Sequence, residues 1–477
     1  MEATKKSGLH SKSLFSSSAP LKWEYVLAAC VGIVAFLLFA HPDIIETANH
    51  SWLLLQNTFK GNFFGFYEDV YAHQNSFYYI NAAHYNIFVY LIFALWELPV
   101  YIICSIFTIS IDETFLYFWA KLLACAFMLA CGYISYLLAK RMGVSEGSAR
   151  FAGLAVLLSP ITLFSVFSMG QYDSICLFFM LLSLLFYFDK KYLEFCFVIG
   201  FAIVCKFFAI FLLLPLLLLC EKRITRLIFY IVTSFWLYIP TTLLFMGRTG
   251  DAGFFNKLMT ERLLSAQITF GNAKVPVFLL AFAILMAFCF FYRQECEKES
   301  MRFSMYICLV AFSLLFLFTG WHPQWLVFLV PFMVLTTVTA ENKAPYFVLD
   351  IVLCIGYFAL TYFNFPSQLE GNMLDFGLLG IISGLQTATV GYNNLAFYFG
   401  LIPYFLAIAS ALFAGGIVAG IIFKMPLRGI CLSDKLSKGA VHAPSLHAFA
   451  FLPMLCAYGG FFFLPCIFEW LKCFKFI

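Results

Sequence analysis

Residues 150–188 read RFAGLAVLLSPITLFSVFSMGQYDSICLFFMLLSLLFYF, two long apolar runs divided by the short polar string Gly170-Gln171-Tyr172-Asp173. Each run is long enough to be read as a helix in a bilayer core about 30 Å thick. Basic pairs flank the whole: Lys140-Arg141 before it and Lys190-Lys191 after it. Because Lys and Arg favour short cytoplasmic loops, the two runs form a hairpin that begins and ends inside and turns outside at GQYD. A four-residue turn needs only Gly and one polar side chain. A Gln and an Asp exceed that need, so GQYD is either a solvated turn or half of a site.

The rest of the chain agrees with an all-α, polytopic membrane protein. Of 477 residues, 63% are hydrophobic and 11% charged, whereas soluble domains carry about a quarter charged residues. The sixteen cysteines fall mostly inside apolar runs, with no C-x-x-C or Cys/His metal spacing, and read as small apolar residues. The net charge of +4 is small, and its placement matters more than its size. No nucleic-acid partner is expected. Residues 1–21 are Ser- and Lys-rich and read as a disordered cytoplasmic tail. The run YVLAACVGIVAFLLFA at 25–40 is long for a signal sequence and reads as a first crossing.

Charge parity then organises the chain. Basic loops at 140–141, 190–191, 222–226, 293–302 and 424–438 are assigned inside. Parity requires everything from His41 to about Thr114 to be outside, so the apolar run at 85–107 is expected to be re-entrant or interfacial, broken at Glu97-Leu98-Pro99. Residues 193–219, flanked on both sides by inside-type charge, are expected to form two short helices turning near Lys206. About thirteen crossings result, with the short pair counted as two. Residues 22–245, with their external loop 41–114, form the expected catalytic module, and 246–477 a variable C-terminal membrane module.

Polar residues gather on the external face. Asp43 follows the first crossing within three residues, with Glu46 one helical turn further. A partly desolvated carboxylate at a helix end suits a general base, but His-Pro-Asp is also good capping chemistry. Asp173 and Gln171 share that face. Two carboxylates from separate loops could hold a divalent cation such as Mg or Mn, or orient a sugar by hydrogen bonds. Lys206 interrupts an apolar run and either meets an anionic substrate or pairs with an internal carboxylate. His322 and Gln324 lie in the external turn Trp321-His-Pro-Gln-Trp325, whose tryptophans suit the interface in any case. The external loop 246–274 carries Arg248, Lys257, Arg262 and Lys274 against the usual charge rule, which hints at an anion site. Of these, Arg248 is taken as the substrate-binding cation. No phosphate-binding loop or dinucleotide fingerprint is present. A polytopic enzyme without a nucleotide domain takes its donor from the membrane.

A first crossing followed by a long acidic external loop, the YNIFVY segment, SP…GQYD, the K…LP run after it, and a late HPQW…P turn together resemble the GT-C class of membrane glycosyltransferases. The likeness spans roughly residues 22–335, is strongest over 150–220, and is closest to bacterial mannosyltransferase-like members. The resemblance implies a polyprenyl- or dolichyl-phosphate-linked sugar donor, with inversion at the anomeric carbon. The transferred sugar would be a hexose, mannose among the options, and the acceptor a glycan, lipid or protein. It implies a bacterial cell-membrane protein with its site outside. Asp43 matches the first-loop acid, Asp173 the second-loop acid and Lys206 the lysine of the apolar hairpin. Where the class shows D-x-D, this chain has Asp43 and Glu46 as D-x-x-E, with Glu68-Asp69 further along. Metal dependence, and the choice between Asp43 and Asp69 as base, stay open on this reading. The rival is a lipid-linked-sugar flippase or other transporter, which would place its charges along a path through the bilayer instead of on one face.

Overall fold

The computed structural model describes residues 20–72, 83–247, 261–293, 297–340, 343–364, 372–383, 400, 402–427, 430–431 and 451–473. Among the described residues the fold is helical, with two short antiparallel strand pairs, the larger joining β1 (Gln267–Phe270) to β2 (Ala273–Pro276). Helix α1 (Lys22–Leu38) is followed after a 74° bend by α2 (Pro42–Phe59). The sequence dictates that start. His41 is the cap, its Nδ1 accepting from the Asp43 N–H at 3.2 Å, and Pro42 takes the first helical position, where its missing N–H costs nothing. A short α3 (Phe66–Ala72) leads on towards α4 (Ile87–Phe107), which Asn86 caps by accepting from the Phe88 N–H at 3.1 Å.

One expectation needs correction here. Helix α4 runs unbroken through Pro99, so the break foreseen at Glu97-Leu98-Pro99 is absent. Packing against α2 and α5 holds the segment helical; in an apolar setting, opening the backbone costs more than the one hydrogen bond that proline removes. By length and hydropathy α4 also qualifies as a crossing helix. Five helices among the described residues qualify, or up to eight if each bent pair is one crossing. The thirteen of the sequence reading are reached only if shorter apolar helices cross as well.

Helix α5 (Glu113–Arg141) is the central strut, with acid in its first turn and Lys140-Arg141 in its last, both favourable to the helix dipole. It packs closely on α6 (Glu146–Leu158): a Cβ on Gly153 would lie 2.8 Å from the Gly132 carbonyl oxygen. After Ser159, the short α7 (Pro160–Thr162) passes into a π-helical segment, Leu163–Ser168, and then into GQYD. Helix α8 (Asp173–Phe188) returns. The hairpin expected around Lys206 is present as α9 (Tyr192–Cys205) and α10 (Ile210–Cys220). Both far ends meet Tyr187: its ring lies 5.3 Å from Phe195 and its hydroxyl donates to the Leu216 carbonyl at 3.2 Å. The expected crossing at 224–245 is bent by 49° between α11 (Ile224–Ser234) and α12 (Tyr238–Leu244).

Beyond the hairpin lie α13 (Val277–Phe291) and α14 (Glu297–Phe318). The HPQW turn forms a 3-10 helix, Pro323–Phe328, that enters α15 (Val330–Val338). Helices α16 (Ala344–Asn364) and α17 (Phe405–Phe423) pack against each other, and Tyr357 of α16 donates to the Pro323 carbonyl at 3.0 Å, tying that pair to the HPQW turn. The core of apolar side chains runs continuously through α5, α6, α8, α9, α10, α14, α15 and α16.

Candidate functional site

GQYD is the joint between a π-helical turn and α8. The wide turn hands its backbone donors back to the preceding turn: Met169 N–H to Phe164, Gly170 N–H to Val166 and Gln171 N–H to Ser165, all at 2.9–3.0 Å. Gly170 has φ +82°, and a Cβ there would also lie 2.9 Å from Lys121 Cγ and 3.3 Å from Ile44. Only glycine fits on both counts. The joint then delivers Gln171 and Asp173 to one end of the bundle.

Asp43 and Gln171 meet there. The Gln171 amide donates to Asp43 Oδ2 at 2.5 Å, across 128 residues of sequence. The shared face that sequence reasoning inferred from charge parity is therefore a direct contact, and it holds whatever path α4 takes. Tyr85 and Phe93, on either side of the start of α4, both pack edge-on against Tyr172, at 5.2 and 5.9 Å. The Asp43 side chain is 41% exposed, so it faces open space while its backbone is held. Its Oδ1 lies 3.2 Å from His41 Nδ1, which accepts from the backbone when neutral and donates to the carboxylate when protonated. Burial opposes ionisation of Asp43, but charge on His41 and hydrogen bonds from His41 and Gln171 outweigh it and hold the carboxyl at about 2, which corrects the expectation that desolvation would raise it and strengthen it as a base.

Asp173 does something different. Its carboxylate is buried against the Lys206 ammonium, which donates to Oδ1, while Oδ2 carries no hydrogen bond among the described residues. Of the two readings open for Lys206, the internal ion pair is the one seen. The break between α9 and α10 explains its reach: Lys206 is extended, with φ −159° and ψ 131°, so the hairpin apex turns its side chain toward α8. The ammonium lies 5.2 Å from the Trp325 ring, and the Arg262 guanidinium lies 5.1 Å from the same ring. Arg262 also bonds His322 Nε2 at 2.8 Å. A guanidinium can only donate, so that nitrogen accepts and the ring is neutral. Burial first, then the charges of Arg262 and Lys206, hold His322 down at about 4. Asp43, Lys206 and His41 all lie within electrostatic range of His322.

Five of the expected residues thus converge: Asp43, Gln171, Asp173, Lys206 and His322. Of the remaining expected residues, those described make none of these contacts. Glu46 stands one helical turn beyond Asp43 on α2 and acts electrostatically on Tyr90. Gln324 is buried in the 3-10 turn, its Oε1 without a hydrogen bond among the described residues. Asp69 sits on α3 and accepts from Asn57 at 2.8 Å, fourteen residues or about 20 Å along α2 from Asp43, which removes it from the cluster. Arg248 lies outside the described residues. Arg262 of the same loop reaches the cluster, and nothing in the loop's spacing marked it over its three basic neighbours. Tyr85, Tyr172 and Trp325, read as interface or turn aromatics or not singled out, form the apolar wall.

Asp43 and Asp173 are the expected holders of a divalent metal. In this structure one Asp173 oxygen meets the Lys206 ammonium and one Asp43 oxygen meets the Gln171 amide. Among the described residues no group of three or more His, Cys, Asp or Glu side chains converges.

Beneath the cluster, α1, α5, α6 and the π-helical segment line an open apolar groove of about 410 Å³, with Tyr25, Phe36, Leu157 and Phe167 among its walls. In comparison with known families, the model of glycosyltransferase family 87 matches residues 83–322, just over half of the chain. That span includes GQYD, Lys206, Arg262 and His322 but not Asp43. No curated protein and no solved structure matches.

Proposed function

The chain belongs to glycosyltransferase family 87, and we propose that it is an inverting enzyme that moves a hexose, mannose among the options, from a polyprenyl-phosphate donor to an acceptor hydroxyl outside the cell membrane. The chain is an integral membrane protein by its apolar helices and its family. One observation carries the reading: a half-exposed, ionised carboxylate, Asp43, stands near two cations, Lys206 and Arg262, gathered on one tryptophan ring.

The chemistry follows from that polarity. Asp43 takes the proton of the acceptor hydroxyl while the acceptor oxygen bonds to the anomeric carbon. The bond from that carbon to the phosphate oxygen breaks on the opposite side, and the electron pair leaves with the phosphate. An oxocarbenium-like transition state of this kind is helped by fixed positive charge where the phosphate departs, and Arg262 and Lys206 supply it. Asp173 is buried and cannot reach the acceptor; its part is to hold Lys206. Neutral His322 orients Arg262 through Nε2. The apolar groove below the cluster has the lining and position to hold a stretch of the donor's prenyl chain.

Asp43→Asn tests the proposal. With a synthetic polyprenyl-phosphate mannose as donor, turnover is expected to fall by about 10² or more, the usual worth of a general base, with donor binding retained. Wild-type turnover in that variant overturns the assignment.

A further inference from the structure

Lys121, in the third turn of α5, takes no part in the reaction as drawn above. Its side chain is wholly buried, and among the described residues no carboxylate pairs with it. A cation in that position is costly unless backbone carbonyls receive it. They do: Nζ donates to the Phe36 carbonyl at 2.7 Å and the Phe39 carbonyl at 2.5 Å, and lies 4.9 Å from the Phe36 ring. These carbonyls belong to the last turn and cap of α1, where helical oxygens have no intrahelical partner and the dipole is negative. Lys121 therefore terminates α1 from outside, four residues before Asp43.

The same side chain braces the other half of the site. Gly170 packs so closely on the Lys121 stem that a Cβ would lie 2.9 Å from Cγ, and the same Cβ would lie 3.3 Å from Ile44, the neighbour of Asp43. The stem is thus wedged between the end of α1, the start of α2 and the residue before Gln171. We propose that Lys121 is a positioning residue that sets the contact between Asp43 and Gln171, and through it the direction of the Asp43 carboxylate. Ammonium and stem act on different sides of that contact, so both are needed. The inference rests on Asp43 being the base.

The test is a double-mutant cycle on the full-length protein in detergent or liposomes, with polyprenyl-phosphate mannose as donor. Lys121→Met keeps the length of the stem but removes the donors. It is expected to lower kcat by about 10²-fold, the scale of a 1 Å misplacement, while donor KM stays unchanged. Lys121→Arg recovers most of the rate. Gln171→Ala lowers kcat, and adding Lys121→Met to it lowers kcat little further, because both act through one contact. Losses that multiply, a wild-type kcat in Lys121→Met, or a change confined to KM overturn the proposal. If Lys121→Met does not insert, Lys121→Gln, which keeps an N–H donor without charge, takes its place in the cycle. An active Asp43→Asn run alongside rejects the base assignment itself, and so separates the two failures.

Discussion

Lys206 and Asp173 are the residues whose partnership matters most to both stability and chemistry. Their side chains are 4% and 0% exposed, so neither charge can be left alone. Removing one partner of such a pair strands the other, at a cost of about 3–5 kcal/mol, whereas apolar replacement of both is often tolerated. Lys206→Met is therefore expected to depress thermal unfolding sharply, and Lys206→Met with Asp173→Leu to recover it. Transfer should be lost in both, since the leaving phosphate has lost a cation. Recovery of transfer in the double variant would show the pair to be structural only. From the sequence, each was visible as a charge in apolar company, but their partnership across 33 residues was not. Hydropathy flags the cost of a buried charge; only packing tells what offsets it. The same holds for Arg262, which no local signal separated from Arg248.

Among elements, the hairpin turning at GQYD and the pair of short helices around Lys206 follow from hydropathy and flanking charge, which act locally along the chain. The course of α4 does not. Glu97 and Pro99 look like a break, yet the helix continues, because neighbouring helices decide whether backbone groups stay paired. Close approach of helices is likewise marked only weakly, by small residues. In α16 a Cβ on Gly356 would lie 2.4 Å from the Phe413 backbone nitrogen of α17, while Gly415 of α17 has open space around it. Gly356→Val is accordingly expected to lower stability by about 1–3 kcal/mol in detergent unfolding, with Gly415→Val near wild type. Equal effects at both positions would contradict close packing as the cause. Because Tyr357 of α16 holds the HPQW turn, the damage at Gly356 should also extend to His322 and the donor site.

For the whole molecule, Asp173 and Lys206 stand at the starts of helices whose other ends lead to the basic loops at 190–191 and 222–226, and α5 ends at Lys140-Arg141. By the positive-inside rule, we propose that the cluster end is external. Single cysteines test it, placed at the exposed positions Lys60 and Lys191 in a background with all sixteen native cysteines replaced. In intact cells an impermeant maleimide is expected to label Lys60→Cys and to spare Lys191→Cys; the reverse pattern would turn the protein over. Composition and charge order were enough to make this a polytopic helical membrane protein and to single out Asp43, Gln171, Asp173, Lys206 and His322, since the cost of polar groups in an apolar chain is legible residue by residue. Tertiary structure alone decided that Asp43 and not Asp69 joins the cluster, that Asp173 serves Lys206, and that Arg262 and Trp325 complete the wall. Those outcomes depend on which helix ends meet, and contacts across 128 residues leave no trace in local spacing. GQYD is a turn that a π-helical segment and one glycine aim at Asp43.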